Sequence, residues 1–214
     1  MTGILFDLDG TLLNTLEDLT DATNYALGQF GYSPRTLAQV RRAIGNGAAN
    51  QIRKSLPEGT DEEIVQQVLA AYKPYYTKHC QIRTKPYEGV LQALDILKEK
   101  YPLAIVSNKP DGAVKALCAG YFPGIYALGE CPDCPRKPAA DMVYKGMQAI
   151  SADRCVYVGD SEVDVLTAKN AGIPCLCVLW GFRDRVDMEN VGGNHFCETT
   201  NQLVEKIEEL IHGQ

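Results

Sequence analysis

Gly3-Ile4-Leu5-Phe6-Asp7-Leu8-Asp9-Gly10-Thr11 stands near the start of this 214-residue chain. Gly3–Leu8 is a short apolar run, and two acids and a glycine close it. Near-continuous apolar runs of this length suit strands buried on both faces of a parallel sheet. Strand residues alternate sides, so the pattern places Asp7 and Asp9 on one side and Leu8 on the other. Two carboxylates at the carboxyl end of a buried strand repel unless a cation or a shared proton relieves them. Open α/β sheets bind ligands at that end. Taken alone, Asp-Gly suits an ordinary turn equally well.

Working outward, further strands are predicted at Leu103–Val106, ending in Ser107-Asn108, at Cys155–Val158, ending in Gly159-Asp160, and at Cys175–Leu179. Helical patterns lie between them. Val90, Leu91, Leu94 and Leu97 recur at helical spacing. Ala139–Ile150, Ser161–Ala171 and Asn201–Ile211 follow. Strand and helix alternating from about residue 86 onward implies a doubly wound, Rossmann-like parallel sheet of the α/β class. The first strand stands apart from the rest by some 80 residues that read as helical throughout: Asn14–Phe30, Thr36–Ile44, Ala48–Leu56 and Asp61–His79. A structureless loop of that length does not fit a compact domain. The expected organisation is a core of residues 1–13 and 86–214 with a helical cap, residues 14–85, inserted after strand one. Its hinges are expected at Leu12–Thr15 and Arg83–Pro86.

Composition sets the limits. Lys plus Arg is 21 and Asp plus Glu is 27, a formal charge of −6. A chain this acidic is a poor generic nucleic-acid binder, because phosphate contact needs a basic surface. With 45% hydrophobic and 22% charged residues the usage is that of a globular protein rather than a disordered one. No apolar run approaches the ~20 residues of a membrane span. The N-terminus lacks the basic region of a secretory signal. The expectation is a cytoplasmic protein with reduced thiols, acting as a monomer or homodimer without nucleic-acid or membrane partners.

Several chemistry-bearing residues fall at the same sheet edge as Asp7 and Asp9. Ser107-Asn108 closes the second predicted strand, Lys137-Pro138 precedes a helix, and Gly159-Asp160-Ser161-Glu162-Val163-Asp164 closes another strand and opens a helix. Each has a plain structural alternative: Ser107 a helix cap, Lys137 a solvated lysine, Asp160 an N-cap. A hydroxyl, a lysine and four acids converging on one edge by accident is improbable. In this order, Asp7-Leu8-Asp9-Gly10-Thr11, Ser107-Asn108, Lys137 and Gly159-Asp160-x-x-x-Asp164 resemble the four motifs of the haloacid dehalogenase superfamily, over essentially the whole chain. The long helical insertion is similar to that superfamily's cap. Asn108-Lys109-Pro110 and Arg42-Ala43-Ile44-Gly45-Asn46-Gly47 are similar to its phosphoglycolate phosphatase branch.

The resemblance implies a phosphatase acting on a small-molecule phosphate ester through an aspartyl-phosphate, with Asp7 as the nucleophile. It implies Mg²⁺ as cofactor, held by Asp7, the backbone carbonyl of Asp9 and Asp160, with Asp164 acting through water or by orienting the others. Asp9 would be the general acid and base. Ser107 and the amide of Asn108 would bind phosphoryl oxygens, Lys137 would pair with Asp7 and the phosphate, and the amides of Gly10 and Thr11 would face the phosphate. In the cap, two glycines let the backbone near Gly45 and Asn46 approach a ligand. Arg42 beside them offers a planar fork for a carboxylate, as in 2-phosphoglycolate. An ordinary helix–helix turn with a solvated arginine is the competing reading there.

Other functions remain open. A sugar phosphomutase would use the same four motifs. A dehalogenase needs neither metal nor the acid at position 9. A phosphonatase would need a cap lysine, and Lys54, Lys73 and Lys78 lie in no convincing motif. A phosphate-binding module that does not turn over is disfavoured by Asp9 and by the insertion. Cys131-Pro132-Asp133-Cys134 is a lone C-x-x-C. With no second ligand pair it reads as two free thiols in a proline-rich loop rather than as a zinc site. Cys155, Cys175 and Cys177 read as core residues. His79, His195 and His212 are scattered and receive no role.

Overall fold

The computed structural model describes residues 1–213. The chain opens with β1 (Thr2–Phe6), turns tightly, and forms the two-residue strand β2 (Leu13–Asn14). Four helices follow: α1 (Leu16–Gln29), α2 (Leu37–Ala43), α3 (Gly47–Ser55) and α4 (Glu62–His79). Strand β3 (Lys85–Pro86) returns the chain to α5 (Val90–Lys98), β4 (Leu103–Pro110), α6 (Asp111–Tyr121), β5 (Tyr126–Glu130) and α7 (Asp141–Ala149). Then come β6 (Arg154–Gly159), α8 (Glu162–Ala171), β7 (Cys175–Val178), α9 (Arg185–Glu189), β8 (His195–Cys197) and α10 (Leu203–His212).

Six strands form one parallel sheet in the order β5-β4-β1-β6-β7-β8. From β1 the chain winds outward through β4 and β5, then crosses back to build β6, β7 and β8 on the other side. The direction of winding therefore reverses beside β1, and a crevice opens at the carboxyl ends of the central strands. Alternation divides the core. Ile4, Phe6, Val156 and Val158 pack on the face shared with Leu94, Leu97, Leu117 and Ile207. Leu5, Val106 and Tyr157 pack on the other, with Met142, Val143, Val165 and Ala168. Gly146 on α7 has no side chain because a Cβ there would stand 2.7 Å from Leu5 Cδ2.

This is the doubly wound sheet that the strand pattern predicts, with differences at the ends and edges. β1 stops at Phe6 rather than Leu8, so strand alternation does not by itself orient Asp7 and Asp9. β4 runs on to Pro110 through a register shift between Val106 and Pro110. Strands β5 and β8 and helices α6 and α9 carry no clear sequence signal. β5 is an edge strand in which only Gly129 is buried, β8 has three residues, and α6 holds two glycines. Helix ends shift by a residue or two. Thr36, for instance, is the N-cap of α2 rather than its first residue, in a reciprocal pair with Gln39. Among the described residues no helix is long and apolar enough to cross a membrane.

Helices α1 to α4 pack on one another, with Ala22, Ala26 and Leu27 of α1 and Val65, Val68 and Leu69 of α4 in the shared core. Two strands tether them: Leu13 pairs with Pro86 and Asn14 with Lys85, antiparallel. The buried carboxylate of Asp18 fixes that tether. It accepts the amides of Arg83 at 3.0 Å and Thr84 at 2.8 Å. Asp18→Ala takes the acceptor from both amides, that of the buried Thr84 included, so chemical denaturation is expected to show a loss of about 1–3 kcal/mol. A loss below about 0.5 kcal/mol would show that the re-entry point needs no such clamp.

Candidate active site

Asp7 donates its amide to the carbonyl of Val158 at 2.9 Å, which extends the β1–β6 ladder by one residue past the strand. A tight loop then forms: the amides of Leu12 and Leu13 both reach the carbonyl of Leu8, and Gly10 bonds back to Leu13. Gly10 adopts φ +87°, and a Cβ on it would lie 2.3 Å from Asp160 Oδ2. The turn can therefore sit against that carboxylate only if residue 10 is glycine. The loop turns Asp7 and Asp9 into one cleft, a service that the expected strand alternation does not perform.

Asp7 Oδ1 receives Lys137 Nζ at 2.6 Å. The same ammonium reaches Asp164 Oδ1 at 2.8 Å and the Tyr157 hydroxyl at 2.9 Å, so all three of its donors are engaged. Asn108 holds the lysine's backbone from both sides, accepting its N–H and donating to its C=O at 2.8 Å each. Asp164 is the N3 partner of Ser161 at the start of α8, and its Oδ2 takes the Ser161 hydroxyl at 2.6 Å. Asp160 accepts Thr11 Oγ1 at 3.1 Å and the amide of Phe182 at 2.7 Å. Both donors are neutral, and among the described residues Asp160 has no cationic partner.

Burial dominates the electrostatics. It pushes the Asp7 carboxyl up to about 7, with Lys137 opposing and Asp164 and Asp9 adding to the rise. Asp160 is raised well above the carboxylate range by burial, then by Asp164 and Asp7. Burial works against the charge on Lys137, yet Asp164 and Asp7 hold it well above the ordinary lysine value. Three buried carboxylates thus face one ammonium. One oxygen from each of Asp7, Asp160 and Asp164 lies within 4.8 Å of the others. The donor set is all oxygen, and the excess negative charge is out of water, which is the environment a small hard dication fits.

Asp9 lines the same cleft. Its Oδ1 accepts the Thr15 hydroxyl at 2.7 Å and pairs with Lys109 Nζ at 2.9 Å. Both contacts fall on one oxygen, Oδ1. Lys109, itself buried, also donates to the Tyr76 hydroxyl and lies over that ring, 4.4 Å from its centroid. The cleft opens to solvent. Its floor comes from the sheet edge and its roof from the helical segment: Leu19, Gly45, Asn46, Gln51, Tyr72 and Tyr76.

The structure brings Asp7, Asp9, Ser107, Asn108, Lys137, Asp160, Asp164, Gly45 and Asn46 to this cleft. Gly10 and Thr11 sit behind it, serving the Asp160 carboxylate rather than lining the cavity. Arg42 does not line it either: it is exposed on α2. The arginine at the cleft is Arg183, which donates to the carbonyls of Arg41, at 3.0 Å, and of Ile44, and pairs with Glu162 at 2.9 Å. Arg136 holds the carbonyl of Asn46 at 3.0 Å. Lys109 enters the sequence reading only within Asn108-Lys109-Pro110, with no role of its own, and Tyr76 and Arg183 escape it. Cys131 and Cys134 face each other across a turn outside the cleft.

A sequence profile described as haloacid dehalogenase-like hydrolase matches residues 4–178. A Pseudomonas aeruginosa protein named phosphoglycolate phosphatase 1 is 34% identical over 190 residues, 84% of this chain and 70% of that one. A Rhodobacter capsulatus phosphoglycolate phosphatase is 33% identical over 189 residues, 84% of this chain and 85% of that one. A crystal structure from Lactobacillus delbrueckii subsp. bulgaricus, whose assignment as a phosphoglycolate phosphatase is itself an inference, superposes with a TM-score of 0.91. It is 36% identical and covers 96% of this chain and 97% of its own.

Proposed function

The chain belongs to the haloacid dehalogenase-like hydrolases, and from that premise we propose that it is a Mg²⁺-dependent phosphatase of small phosphate esters, 2-phosphoglycolate foremost, working through an aspartyl-phosphate. The observation that carries the chemistry is the buried Asp7 carboxylate, held by Lys137 beside an Asp160 that pairs with no cationic side chain among the described residues. The substrate rests on the relatives named phosphoglycolate phosphatase.

Lys137 fixes Asp7 through Oδ1, so the second oxygen is free to form the bond to phosphorus. As the ester P–O bond breaks, the proton on the Asp9 carboxyl passes to the leaving oxygen. Asp9 then takes a proton from the water that attacks the phosphoaspartate, which releases inorganic phosphate and returns Asp7. Ser107 Oγ and the Asn108 amide donate to phosphoryl oxygens, and Lys137 stabilises the charge that develops between them. Asp7, the Asp9 carbonyl and Asp160 would hold the ion, with Asp164, both of whose oxygens are engaged, orienting the rest. When bound, Mg²⁺ supplies positive charge to the phosphoryl oxygens and to the attacking carboxylate. We read residues 1–13 and 86–214 as the catalytic core and 14–85 as the cap that covers the leaving group.

The test is kcat/KM for 2-phosphoglycolate, glucose 6-phosphate, a nucleoside monophosphate and pyrophosphate with Mg²⁺ present. A preference of roughly tenfold or more for 2-phosphoglycolate is expected. No turnover of any monoester would overturn the phosphatase reading. Even turnover of all of them would overturn the substrate alone.

A further inference from the structure

Three cationic side chains line the cleft: Lys109, Lys137 and Arg183. Their bonding separates them. Lys137 has spent all three of its N–H donors on Asp7, Tyr157 and Asp164. Each nitrogen of Arg183 already has an acceptor, in Glu162 and in the carbonyls of Arg41 and Ile44, so that guanidinium holds residues 41–44 against the core. Lys109 has two partners only, Tyr76 and Asp9, for three donors. Arg183 keeps two of its five N–H groups, but every nitrogen of it is tied to Glu162 or to the 41–44 segment; Lys109 is the ammonium at the cleft with an N–H to give.

We propose that Lys109 is a specificity-determining residue that binds a carboxylate on the substrate's leaving group, an assignment that rests on the phosphatase reading above. Position is the first argument. Nζ stands 2.9 Å from Asp9 Oδ1, and Asp9 is the group that meets the leaving oxygen. In 2-phosphoglycolate the carboxylate carbon lies two bonds from that oxygen. Adjacent groups of one small molecule therefore meet an acid and an ammonium that are themselves adjacent. Rigidity is the second argument. A lysine on a free stem is a mobile point charge, but here the Tyr76 hydroxyl and ring fix Nζ in place. The third is the surroundings. Leu19, Tyr72 and Tyr76 wall this end of the cleft, and an ion pair formed away from water is stronger than one in the open. Tyr76 comes from α4 and Lys109 from β4, so the subsite is complete only with the helical segment seated on the core.

Ethyl phosphate shares the carbon skeleton of 2-phosphoglycolate and lacks the carboxylate, so the ratio of kcat/KM for the two isolates that group. In Lys109→Met the ratio is expected to fall roughly tenfold to a hundredfold, carried mainly by KM for 2-phosphoglycolate. Lys109→Arg keeps the charge and should retain part of the ratio. Tyr76→Phe, which frees Nζ but leaves the ring, should lower it by a smaller factor. Near-UV circular dichroism checks that each variant folds, and Lys109→Arg with Tyr76→Phe decide the matter if Lys109→Met does not. An unchanged ratio in the folded variants, with both substrates slowed alike, would mean that Lys109 only supports Asp9 and would overturn the inference. A parent ratio near one would remove both the substrate reading and the inference; a high parent ratio that survives the substitutions removes the inference alone.

Discussion

Asp7→Asn is expected to lower kcat by about four to six orders of magnitude, the scale seen when an enzyme loses its covalent nucleophile. The amide keeps the shape of the carboxylate and can still accept from Lys137, so the geometry of the cleft should survive. What it lacks is the anionic oxygen that, in the proposed mechanism, forms the bond to phosphorus. Folding should not suffer. Asp7 is a buried carboxylate beside Asp164 and Asp9, and burial has already pushed its titration up to about 7. Replacing it with a neutral group removes one of three buried like charges at the cost of one ion pair with Lys137. Thermal unfolding without metal should therefore give a Tm at or above that of the parent. Rapid acid quench with phosphorus-labelled substrate should trap a phosphoprotein in the parent and none in Asp7→Asn. A variant that still turns over within tenfold of the parent would end the covalent mechanism.

The acids of this site are legible in the sequence because they stand at or just past strand ends in short, unusual strings. Asp7 follows five residues of sheet, and Asp160 and Asp164 bracket the junction of β6 and α8. A parallel sheet brings such strand ends together whatever the loops do. Lys137 is readable only through the company it keeps, since its loop has no periodicity. Lys109 stands in a string that the sequence singles out, but its place at the cleft is hidden by β4 itself: the strand shifts register after Val106, so period-two counting fails just there. Tyr76 is one of five buried residues on a helix of 18, and nothing in helical spacing tells a core tyrosine from one that meets an ammonium. Arg183 bonds to carbonyls 139 and 142 positions away in the chain. That pairing depends on how the helical segment sits on the core, which local pattern does not encode. The same limit explains Arg42. The glycine-rich loop draws the eye to the arginine beside it, but α2 turns that side chain to solvent and a different arginine reaches the loop from the core.

Removing divalent metal should have the second largest effect. Exhaustive chelation is expected to lower kcat by about three orders of magnitude or more, since the ion contributes several kcal/mol of charge stabilisation in sites of this kind. Activity alone would not show where the ion binds, but stability does. Asp7 and Asp160 both have native-state values raised above their unfolded ones. Between about pH 4 and 7 the native state thus holds more protons than the unfolded chain. By linkage, these two groups make the metal-free protein less stable as pH rises through that window. A cation at the same carboxylates competes with those protons, so its stabilising effect should grow over the same range. At pH 8 with Mg²⁺ at a hundred times its Kd, binding adds about 2.7 kcal/mol, which for a chain of this size raises Tm by about 5–10 °C. At pH 5.5 the shift should largely vanish. Asp160→Asn removes a proposed ligand together with one buried charge, so its metal-free Tm at pH 8 should match or exceed the parent's while its response to Mg²⁺ disappears. Equal Mg²⁺ shifts at both pH values, or an undiminished shift in Asp160→Asn, would place the ion away from these carboxylates.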